Sequence, residues 1–139
     1  MTIFYKPDKT LDDLSVQFRL PFGKNWVDVY IWKSEKGLMD NVGHNGRDFI
    51  GCYMGIRDRK KRGLFGEVHL MLSEIGAGYV AHELEHFIHD YCGEFVPEVT
   101  NKRSQEKVAY TMSNMTTLFW RNFYEHYEVE KNGLICPQC

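Results

Sequence analysis

Within YVAHELEHFIHDY, residues 79 to 91, stand three histidines and two glutamates. At ~100° per residue on a helix, His82, His86 and His89 fall roughly opposite an apolar stripe of Val80, Leu84, Phe87 and Tyr91. The histidines are therefore not there to fill the core behind them. His82 and His86, at i and i+4, lie one turn apart, ~6 Å of rise, and two imidazoles so placed can converge on one zinc ion. His89 is ~10.5 Å along the axis from His82, too far to share that ion, and reads as an outer or surface histidine. His82-Glu83-Leu84-Glu85-His86 is thus an H-E-x-x-H array. Two neutral imidazoles hold Zn2+ and leave room for water and a carbonyl. Glu83, next to the first ligand, is then the general base that takes the water's proton and passes it to the leaving amine. The plainer alternative for the same residues is a solvated polar helix face.

Such a site needs a third protein donor. Glu106 follows His86 after nineteen intervening residues, near the start of a second helical segment. There Glu106, Tyr110, Ser113 and Thr117 share a face opposite an apolar stripe, and the small Ala109 and Ser113 would let that face approach the first helix. The expected ligand set is His82, His86 and Glu106. The alternative for Glu106 is a solvated side chain in the charged stretch KRSQEK.

HELEH followed by Glu106 resembles the gluzincin branch of the zincin metallopeptidases, of which thermolysin is the best-known member, and the ligand spacing matches. QEKVAY also looks like the glutamate helix of small single-domain zincins related to the ImmA/IrrE peptidases. The resemblance covers residues 67 to 110 and implies a zinc-dependent peptidase acting on a protein or peptide substrate. It also implies that the strand over 67–74 is a sheet edge where an extended substrate pairs, with His69, Met71 and Ser73 as substrate-binding residues. Glu85 departs from the pattern, which usually has an uncharged residue there, and no N-E-x-x-x-x-D form surrounds Glu106. No histidine clearly placed to stabilise the oxyanion follows. Tyr110 is taken as that residue, with Tyr124, His126 and Tyr127 as further candidates. Two rival readings stand beside the peptidase. One is a zincin-fold protein that binds and modulates a partner without cleaving it. The other is a peptidase of the SprT type, whose third ligand is a histidine; only His89 and His126 are available here, one too close and one far.

The elements that must carry these residues read as strands first and helices second. WVDVYIWK (26–33) alternates Val27, Val29 and Ile31 with Asp28, Tyr30 and Trp32. FRLPFGKN before it offers a strand and a turn, and FIGCYMGI (49–56) follows a Gly/Asn-rich loop as a further strand. EVHLMLSE (67–74) alternates Val68, Leu70 and Leu72 with His69, Met71 and Ser73. A helix then starts near Tyr79 and stops at Gly93, and a second runs over about 102–126 with Val108, Met112, Met115, Phe119 and Phe123 as its core stripe. The expectation is an α+β domain: an N-terminal antiparallel or mixed sheet followed by two core helices, over 1–132, with a short tail at 133–139.

Composition sets the outer bounds. With 139 residues, 43% of them hydrophobic, the chain can bury one core, and its net charge of −2 gives no reason to expect nucleic acid. RDRKKR (57–62) reads as a solvated loop. No segment has the layout of a signal peptide or the ~20 apolar residues of a membrane span. Cys52 and Cys92 stand alone, which suits reduced thiols in a cytoplasmic protein. CPQC (136–139) looks like half of a zinc ribbon lacking its second pair.

Overall fold

A computed structural model describes residues 9–42, 51–56, 63–95 and 102–127. Strand β1 (Leu14–Phe22) turns at Gly23, whose φ of 59° suits glycine, into antiparallel β2 (Asn25–Trp32). Helix α1 (Glu35–Val42) follows, then β3 (Gly51–Gly55) and β4 (Leu64–Met71). A single 3-10 turn over Leu72–Glu74 leads into α2 (Ala77–Phe95), and α3 (Lys102–Tyr127) completes the described chain. The strands form one mixed sheet in the order β1-β2-β4-β3, with β2 and β4 parallel and the outer pairs antiparallel. The α+β expectation holds in these terms.

Both faces of the sheet are covered. On one, Phe18 and Leu20 of β1, Val29 and Ile31 of β2, and Val68 and Leu70 of β4 meet the helices. Val80, Leu84, Phe87 and Tyr91 of α2 pack there, and so do Met115, Phe119 and Phe123 of α3, all buried. Each such side chain contributes ~1.5–3 kcal/mol of apolar burial. Val108 and Met112 are only partly buried, because the first turns of α3 run past the sheet. On the other face α1 seats Leu38 and Val42 against Tyr30, Trp32, Cys52 and Met54. Ser34 starts α1 by accepting the Gly37 N–H through its hydroxyl, which itself donates to Asp13.

Two details depart from the sequence pattern. Nothing in that pattern marks α1 as a helix, and the stop expected at Gly93 is passed, since α2 continues to Phe95. RDRKKR, Cys136 and Cys139 lie outside the described residues.

Direction matters for the site. Tyr127 meets Ser15 near the start of β1, and Leu118 shares a groove with Phe22 at its end, so α3 runs antiparallel to β1. α2 runs antiparallel to β4, with Glu83 opposite Gly51 and Leu70 and with Phe87 and Tyr91 opposite Phe65. Hence α2 and α3 are themselves antiparallel.

Candidate metal centre

α2 is amphipathic in three sectors. Its apolar stripe enters the core, its outer sector carries exposed His82, Glu85, His86 and His89, and Glu83 lies between the two. The Nε2 atoms of His82 and His86 face each other at 3.3 Å. Two nitrogens held ~2.0–2.1 Å from one tetrahedral metal would be separated by about 3.3 Å, so the pair is spaced as ligands of a common ion are. Burial and the neighbouring imidazoles lower the pKa of His86, which favours the neutral, ligating form.

Glu83 is 6% exposed, and its Oε1 lies 3.8 Å from His82 Nε2. The Tyr53 backbone N–H of β3 bonds to the carboxylate, while Oε2 is buried with no hydrogen-bond partner among the described residues. Burial pushes the carboxyl up to about 7, against the smaller downward pull of the Tyr53 N–H. Gly51 permits this close approach: a Cβ there would stand 3.3 Å from Glu83 Cγ and 3.1 Å from the His69 carbonyl oxygen. A buried carboxyl with an idle oxygen costs stability, and core packing alone gives no reason for it. Among the described residues, the donor atoms of His82, Glu83 and His86 form the one His/Cys/Asp/Glu group within 4.8 Å of one another. The two imidazoles could hold a metal ion, with the Glu83 carboxylate beside them.

Glu106 does not join them. It is exposed on α3, thirteen residues and ~19.5 Å before Phe119, whose ring meets Phe18 in the middle of β1. From that level α3 advances toward the histidines' end of α2, so Glu106 lies in the opposite direction. Tyr110, 70% exposed and one turn further on, is likewise remote. Glu106→Ala is therefore expected to leave zinc affinity within about twofold of the parent by competition against a chelator. A loss of orders of magnitude would mean that α3 approaches α2 in another arrangement. Of the other oxyanion candidates, Tyr127 bonds to Ser15, and His126 bonds to the Asn122 carbonyl and stacks on Phe18.

The strand expected to receive substrate is corrected by the sheet order. β4 lies between β2 and β3, and both sides of its backbone are paired. His69 is wholly buried on the α1 face, Met71 packs beside the α1-face core, and Ser73 is exposed in the turn after the strand. None of the three lies on a sheet edge; β1 and β3 are the outer strands, and β3 lies beside α2. Cys52, on β3, has its thiol pushed up to about 12, chiefly by burial, which makes it a poor thiolate donor.

Sequence reasoning missed Gly51 and Tyr53 as neighbours of Glu83. Only their place in a strand candidate was legible, not which helix residue that strand would meet. Compared with protein-family models, with curated protein sequences and with solved structures, the chain matches none. No helix among the described residues is long and apolar enough to cross a membrane.

Proposed function

We propose that the chain is a zinc-dependent peptide hydrolase of minimal zincin type, with the metal held by His82 and His86 and with Glu83 as general base. The observation that carries this reading is the unpartnered, buried Glu83 oxygen beside two converging imidazoles. A bound zinc would supply Lewis acidity toward a carbonyl and toward water. The rest falls to the chain. Tyr53 N–H and Gly51 hold Glu83 against β3, and burial brings its proton affinity to where it can both accept and return a proton near neutral pH. The outer side of β3, unpaired among the described strands, offers an extended peptide the main-chain pairing that β4 cannot.

The purified protein is expected to bind zinc in a 1:1 ratio, measured by atomic absorption after dialysis. His82→Ala/His86→Ala is expected to abolish that binding while retaining helical circular dichroism, since both residues are exposed. Full zinc occupancy in the double variant would end the proposal. The partner-binding reading is favoured by one observation: beyond Glu83, no further protein donor stands near the pair among the described residues. It predicts that Glu83→Gln leaves the biological effect intact.

A further inference from the structure

An open groove of about 670 Å³ lies between the β1–β2 hairpin and α3. One wall is a stripe on α3 at i, i+4, i+7, i+11 and i+14: Lys107, Thr111, Asn114, Leu118 and Arg121. The other is Pro21, Phe22 and Asn25 of the hairpin, and Tyr91 and Met115 form the floor. No carboxylate lines it among the described residues. Lys36 pairs with Asp40 and Arg19 with Asp28, but neither Lys107 nor Arg121 has an acidic partner among the described residues. The side-chain amides of Asn25 and Asn114 likewise make no hydrogen bond there.

We propose that this groove docks an extended acidic peptide segment, with carboxylates near its two ends received by Lys107 and Arg121. Fourteen residues of helix separate the cations by ~21 Å. That span takes about six residues of extended chain at ~3.3 Å each. Between the cations, the Asn25 and Asn114 amides offer donors and acceptors matched to a peptide backbone. A nucleic-acid strand fits less well. It would bring a phosphate every few ångströms against only two cations, on a chain of net charge −2, and the buried Tyr91 offers no face for base stacking. The site lies on the α3 side of the molecule and does not depend on the metal centre.

The test is fluorescence anisotropy with the full chain and labelled eight-residue peptides carrying Asp-Asp at each end of a Ser/Thr/Gly middle, beside a Lys-Lys version and an oligo-dT of equal length. The acidic peptide is expected to bind, to weaken with salt, and to lose about tenfold or more in affinity on Lys107→Glu/Arg121→Glu. Both positions are exposed on a helix, so this variant folds, which circular dichroism checks. The same variant is expected to gain affinity for the Lys-Lys peptide, and Lys107→Arg/Arg121→Lys to retain the parent's preference. His82→Ala/His86→Ala is expected to bind the acidic peptide as the parent does. Absence of binding, binding indifferent to the charge reversal, or tighter binding of oligo-dT would each overturn the proposal.

Discussion

Replacing Glu83 by Gln is expected to lower peptide hydrolysis by ~10²–10⁴-fold while leaving zinc stoichiometry unchanged, because an amide of nearly the same shape cannot accept the water's proton. The same change carries a second signature that needs no substrate. In the metal-free protein the Glu83 carboxyl is raised from 4.5 to about 7 by burial. A raised carboxyl binds its proton more tightly when folded than when unfolded. Its contribution is therefore fully favourable below ~4.5 and is lost as pH rises through about 7, on the order of 3 kcal/mol in all. His86, lowered by burial, has the opposite slope and loses stability as pH falls below its ordinary value. Because the Glu83→Gln variant keeps His86 but carries an amide that cannot titrate, the difference between parent and variant isolates Glu83. Urea midpoints in chelator should diverge from pH 5 to pH 8, with the variant the more stable at pH 8. Parallel curves would show that Glu83 is solvated and not the buried base.

The His82/Glu83/His86 group was legible because all three residues ride on one helix. Helical periodicity alone sets which way each points, and the apolar stripe fixes which side is the core. Glu106 was a different kind of inference. A spacing of nineteen residues says nothing about the direction in which the second helix crosses the first. That direction is set by Phe18 meeting Phe119 and by Ser15 meeting Tyr127, contacts between residues about a hundred positions apart. Those contacts lay the last turns of α3 along β1 and leave its first turns, with Glu106, beyond the hairpin end.

The sheet shows the same division. Alternation in β2 and β4 identifies both as strands, and it also suggests that one face is polar and open. That face is closed because α1 lies on it, and α1 is only eight residues long, carries a glycine and buries just two large apolar side chains, Leu38 and Val42. Gly37 is there because a Cβ would collide with the Asp13 side chain. So Asp28, Glu67 and His69, polar residues that alternation assigns to solvent, are buried. Alternation reports the pleat, and only the third layer decides whether the polar face meets water.

That buried polar face depends on Lys9, and Lys9→Met is expected to destabilise the protein by ~3–5 kcal/mol. The ammonium lies 3.1 Å from Glu67 Oε1, with side-chain exposures of 7% and 2%. The same oxygen accepts from His69 Nε2 at 3.0 Å, and Trp32 Nε1 donates to His69 Nδ1 at 3.0 Å. The Trp32 donor fixes the tautomer: Nδ1 must accept, so Nε2 carries the proton and His69 is neutral, in line with the lowering of its pKa by burial. Lys9 is therefore the cation that balances Glu67. It is held in place by Asn41, which accepts the Thr10 N–H and donates to the Thr10 carbonyl. Methionine preserves the length and apolar stem but removes the charge, leaving a buried carboxylate beside Asp28, whose own carboxyl is raised mainly by burial and further by Glu67. Glu67→Gln alone should also cost several kcal/mol, since it strands the lysine instead. Lys9→Met/Glu67→Gln together should recover most of the loss, because replacing both members of a buried pair is often nearly neutral. Urea denaturation of the four proteins closes the cycle. A loss below about 1 kcal/mol in Lys9→Met would show that solvent reaches Glu67 and that the α1 layer does not depend on this cation.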